Sequence, residues 1–174
     1  MSISNETRNE ASVQTFTFET LPEDLTQLQA LPEAALTSPF QTAALTVCAL
    51  CVCPTDLKKG AEMLNWLRGP RPMSNYDISF LKDRFRDGNY VPVSYFAGAT
   101  PENDYTPNQP FTLIIEAGPY ADANEGYMKL FVRSGGADNP REIVLRRKGD
   151  GTWLLWDQMI LVGIREPKSA DPWA

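Results

Sequence analysis

The sequence contains no histidine among its 174 residues. That absence excludes Ser-His-Asp and Cys-His nucleophiles, histidine general bases and histidine-ligated metals. Cysteine is scarce, with three residues at 48, 51 and 53. An odd count argues against a disulfide framework. Bases are outnumbered, sixteen against twenty-two acids, for a net charge of −6. A general affinity for phosphate backbones needs clustered Lys and Arg, so nucleic acid is not an expected partner. The longest apolar run, Ala43 to Cys53, falls short of the ~20 residues that span a bilayer. The opening MSISNETRNEASVQ has no apolar core and reads as a tail over residues 1–14 rather than a secretory leader. The expectation is a cytoplasmic protein with no membrane partner.

What is present is enough for a sizeable core. A chain of this length buries about 70% of its extended surface on folding, and 43% hydrophobic with 22% charged residues is ordinary for a globular protein. Residues 15–174 are expected to form a single α+β domain.

The first half reads as helical. Pro22 with Glu23 and Asp24 opens a short helix carrying Leu25, Leu28 and Leu31. Ser38-Pro39 starts another, apolar all round from Phe40 to Val52, which marks a buried helix. Thr55 is read as the cap of a third, reaching about Leu67, and Ser74-Asn75-Tyr76-Asp77 has the form of a capping box opening a fourth. The second half changes period. Strands are expected at 90–96, 111–117, 127–133, 142–148 and 152–156, with Phe16-Thr17-Phe18 as a short strand or lead-in. Trp153-Leu154-Leu155-Trp156 is apolar on both faces, the pattern of a central strand. Met159 to Ile164 fits a further strand or a helical turn. Helices first and strands after predict N-terminal helices packed on an antiparallel β-meander. The order of elements also resembles the cone of nuclear-transport-factor-2-like proteins, an analogy of fold that carries no function.

Four features bear on function. Cys48, Cys51 and Cys53 sit in the apolar helical run, where cysteine packs as a small hydrophobe; without histidine or a fourth cysteine no zinc set is complete. Neither a metal nor any other cofactor is expected. Lys58 to Arg86 holds seven bases and three acids. It reads as solvated helix faces, with a basic docking patch as the alternative. The loop 95–107, SYFAGATPENDYTP with its preceding serine, offers Tyr95, Asn103, Asp104 and Tyr105 on a proline-stiffened frame. Residues 134–141, SGGADNPR, could form a glycine nest for an anion, flanked by Arg133 and Arg141 and including Ser134 and Asp138; the alternative is a turn in which Asp138 pairs with an arginine.

These two loops and the ending Asp171-Pro172-Trp173-Ala174 resemble an uncharacterised bacterial family of unknown function, over roughly residues 15–174. The resemblance implies a bacterial cytoplasmic protein and assigns no activity and no catalytic residue. Two functional readings stand. The preferred one is a non-catalytic binding or interaction module, with an unidentified protein or small-molecule partner contacted through Tyr95, Asn103, Asp104, Tyr105, Arg133, Ser134, Asp138 and Arg141. The alternative is a histidine-free enzyme or ligand-binding protein using Asp104, Tyr105, Arg133, Asp138 and Arg141 in a pocket between helices and sheet. Trp173 is expected to dock on the sheet or on a neighbouring chain, because a loose exposed tryptophan is an aggregation liability.

Overall fold

A computed structural model describes residues 12–174. Five antiparallel strands form one sheet in chain order: β1 (Val13–Phe18), β2 (Phe111–Ala117), β3 (Tyr127–Val132), β4 (Arg141–Arg147) and β5 (Trp153–Gln158). Between β1 and β2 lie four helices: α1 (Leu25–Gln29), α2 (Pro39–Val52), α3 (Leu57–Arg68) and α4 (Asn75–Arg86). The architecture is α+β, as the order of periodicities predicts. No helix among the described residues is long and apolar enough to cross a membrane.

Alternation explains the sheet. Phe16, Phe18, Leu113, Ile115, Leu130, Val132, Ile143, Leu145 and Leu155 are buried on one face, as a period of two requires. Helix α2 packs against that face. Its Ser38 cap accepts from the Phe40 amide at 3.2 Å, Pro39 fills the first turn, and Ala43, Leu45, Val47, Ala49 and Leu50 are fully buried. The space between helices and sheet is thus filled by α2.

Several expectations are corrected. The first strand is longer than Phe16–Phe18 and begins at Val13, so two residues of the expected tail are paired with β2; residues 1–11 of that tail lie outside the described residues. The cap of α3 is Asp56, whose carboxylate accepts from the Lys59 amide at 3.1 Å, rather than Thr55. The strand expected at 90–96 is a 3-10 turn, Pro92–Tyr95. Pro92 donates no backbone hydrogen bond, and a tight turn sends Val91, Tyr95 and Phe96 all into the core. Residues 159–164 are neither strand nor helix but a succession of turns.

The largest correction concerns β5. It is an edge strand, not a central one. Its apolar character on both faces has another cause: the elements before it in sequence wrap the edge. Trp153 donates its amide to the Leu36 carbonyl at 2.8 Å and accepts at its own carbonyl from the buried Thr42 hydroxyl at 2.6 Å. Gly69, at φ +62°, sits so close to Leu154 that a Cβ there would lie 2.5 Å from its Cδ1. The opposite edge, β1, has no such cover among the described residues.

Trp173 does not dock on the sheet. Its side chain is 93% exposed, because Asp171 turns the chain outward by accepting from the Trp173 amide at 2.8 Å.

Candidate functional site

The two polar-aromatic loops meet at one end of the sheet. The Gly135 amide donates to the Ser94 carbonyl at 2.9 Å, and the Ser134 hydroxyl donates to the Ser94 hydroxyl at 2.7 Å. The contact is too close for any side chain, since a Cβ on Gly135 would lie 1.9 Å from the Ala99 carbonyl oxygen. Tyr95, Ser134 and Arg133 border a shallow depression of about 310 Å³ there.

Most of the side chains expected to recognise a partner are spent inside the chain. Tyr95 is buried and donates its hydroxyl to the Ile160 carbonyl at 2.5 Å. Tyr105 stacks on Tyr90 with centroids 5.2 Å apart and donates to the Arg165 carbonyl. Burial pushes its phenol up to about 12. Asn103 accepts from the Thr100 and Thr106 amides and donates to the Gly98 carbonyl at 2.7 Å, knitting the loop to itself. Asp104 accepts from the Ser169 hydroxyl. Arg133 pairs with Glu116 at 3.2 Å and Asp138 with Arg165 at 3.1 Å. Arg141 donates to the carbonyls of Asn139, Val162 and Gly163 at 2.8–3.0 Å and so ties the segment after β5 to β4. In the glycine segment the Gly136 amide donates to the Ser134 hydroxyl at 3.0 Å and the Ala137 amide to the Ser134 carbonyl at 3.4 Å, so with Gly135 three of its amides already have acceptors.

A different constellation lies at the other end of β4 and β5. A bulge between Val144 and Leu145 leaves Trp156 without a cross-strand partner. Its indole meets two guanidinium groups, Arg71 at 3.9 Å and Arg146 at 4.8 Å from the ring centroid. Tyr127 approaches edge-on at 5.5 Å. Cation–π contact favours such placement. Arg71 rides on the turn after α3 and donates to the Trp156 carbonyl, and Arg68 holds that turn by donating Nε to the Arg71 carbonyl at 2.9 Å.

Beside this stack opens a cleft of about 400 Å³. Its walls carry Arg68, Arg71, Arg146, Arg147 and Lys148, and Pro70, Leu154, Leu155 and Trp156 supply apolar surface. Among the described residues no carboxylate, hydroxyl or thiol lines it. Among the described residues, Arg68 alone of the five has an ion pair, with Asp77 at 3.7 Å. Burial lowers the Arg68 pKa, and the neighbouring Arg71 charge lowers it further. Five cations facing one cavity in a chain of net charge −6 mark a local reversal of the molecular field.

Arg68 and Arg71 belong to the basic segment read from the sequence, Trp156 enters the sequence reading only as part of an apolar strand, and Arg146, Arg147 and Lys148 do not figure in it. Their signal was the run Arg-Arg-Lys ahead of the Gly149-Asp150-Gly151 turn, but nothing linear joins residues 68–71 to residues 146–156.

A family model described as Domain of unknown function (DUF6935) matches residues 20–168. No curated protein and no solved structure matches the chain.

Proposed function

The chain belongs to this family of unknown function, and on that premise, which supplies no activity, we propose that it is a non-catalytic interaction module whose basic cleft holds an acidic segment with an apolar anchor. The observation that carries the reading is the cleft itself. Arg71, Arg146, Arg147 and Lys148 surround an apolar floor, with no carboxylate of the described residues within ion-pair distance of any of them. An acidic ligand would supply those missing counter-charges, and the apolar floor would supply burial. Arginine, protonated at every working pH, is a poor proton acceptor, so these walls suit recognition better than acid–base chemistry. The module is taken as one α+β domain whose first strand starts at Val13. Three free cysteines, two of them buried, fit a reducing compartment such as the cytoplasm.

The test is fluorescence anisotropy with a labelled peptide of alternating acidic residues around one tryptophan. Binding is expected, weakening as salt rises, with Arg146→Glu plus Arg147→Glu reducing affinity by about tenfold or more, as loss of paired charges does. Equal binding of a peptide with its acids replaced by glutamine, or none by either, overturns the reading.

A further inference from the structure

We propose that the cleft of one chain takes the Trp173 turn of a second copy, joining molecules head to tail. This rests on the binding reading above and names its occupant.

The turn is built to present an anchor. Lys168 pairs with Glu102 at 3.4 Å and the Ser169 hydroxyl donates to Asp104, pinning the base. Beyond it Asp171 accepts from the Trp173 amide at 2.8 Å and the Ala174 amide donates to the Asp171 carbonyl at 3.2 Å. The result is a preorganised turn with an indole standing 93% exposed at its tip. A backbone turn ordered in advance lowers the ordering cost of burial, and tryptophan is a residue type that dominates interface energetics.

Charge matches at the two ends. Glu102, Asp104, Asp138, Glu166 and Asp171 are linked to or lie within the segment that carries the turn, against Arg141, Arg165 and Lys168. The cleft end has five lining cations and an apolar floor. Trp173 would pack on Pro70 and Leu154, and Asp171 would face Arg146, Arg147 or Lys148.

The turn cannot serve its own cleft. Its base is fastened at the Arg141 end of β4, where the Arg165 amide donates to Gly136 and Arg141 holds Val162 and Gly163. The cleft lies at the Arg147 end, and six residue steps of strand span about 20 Å. Ser169 is held by Asp104, and Trp173 is not among the residues that line the cleft of its own chain. The contact is therefore between copies, and because donor and acceptor surfaces differ it is heterologous, giving a ring or an open chain.

Sedimentation velocity over rising protein concentration tests this, with a labelled peptide of residues 164–174 as a second readout. The wild-type chain should self-associate. Trp173→Ala, at an exposed site that leaves the fold intact, should raise the dissociation constant by about 30-fold or more, as loss of an aromatic anchor does. Asp171→Arg and Arg146→Asp should each weaken association, and their combination should recover part of the loss. The peptide should bind the Trp173→Ala chain through its open cleft. A monomer at every concentration that also ignores the peptide overturns the proposal; if the generic acidic peptide still binds the cleft, the interaction-module reading survives alone. Self-association unchanged by Trp173→Ala overturns it equally.

Discussion

Cys48, Cys51 and Cys53 are spaced like ligands and used as packing. Cys48 and Cys53 are buried, and the Cys53 thiol donates to the Ala49 carbonyl at 3.6 Å within its own helix. Cys53 also sets a steric limit on α3, since a Cβ on Gly60 would lie 2.4 Å from its sulfur. Burial pushes the Cys53 thiol up to about 12 and raises Cys48 and Cys51 as well. The thiolate is the reactive species, so at neutral pH almost none is present in the native state. Labelling with a thiol reagent should be slow for all three in the native protein and fast in denaturant. Native labelling of two or more at the denatured rate would contradict core packing.

At the scale of the element, α4 is opened by a local code to which tertiary structure adds one ion pair, from Arg68. The Ser74 hydroxyl accepts from the Asp77 amide at 3.1 Å, and the Asp77 carboxylate accepts from the Ser74 amide at 2.9 Å. The Ser74 amide holds the Asp77 pKa below its ordinary value, with Arg68 adding a smaller pull. A depressed folded pKa stabilises the protein above the unfolded carboxylate range and loses that contribution as pH falls through the folded value. Asp77→Ala should therefore cost about 1 kcal/mol at neutral pH, the usual loss for a cap. The gap to wild type should narrow once the medium is acidified below pH ~4, where the free carboxylate titrates. Urea melts at the two pH values check both statements; a gap of constant size would show that Asp77 acts there by something other than its charge. In β5 the code is instead long-range. Its edge is closed by Leu36 and Thr42 and its outer aromatic by Arg71, so its stability is shared with residues about 80 or more positions away.

For the whole molecule, the arrangement around α2 sets the order of local stability. This helix touches β2, β3, β4, β5 and α3, whereas α4 buries only Leu81 and Phe85. Opening free energies follow burial and shared contacts. Native-state hydrogen exchange should find the α2 amides protected at least about a hundredfold more than those of α4, with the interior strands β3 and β4 close to α2. Equal protection in α2 and α4 would mean that the helices unfold as one unit with the sheet. The same scale separates the two ends of the molecule. The loop end is consumed by internal hydrogen bonds, whereas at the hairpin end Arg68 pairs with Asp77 and the other four cleft cations have no ion-pair partner among the described residues.

The α+β class, the buried α2 and the capping box of α4 were determined by the sequence, because each depends on periodicity or on groups three or four residues apart. Apolar alternation in β2 to β4 likewise fixed which face is covered. Tertiary structure alone decided the rest. Trp153-Leu154-Leu155-Trp156 has the composition of a central strand, yet it lies at an edge because a turn and a helix from the first half cover it. Tyr95, Tyr105 and Arg141 have the chemistry of recognition residues, but which carbonyls lie within 3 Å of them is a property of the folded chain. The basic cleft joins residues 68–71 to residues 146–156 through space. Local sequence sets local geometry; a site assembled across 75 or more positions exists only once the sheet and helices have packed.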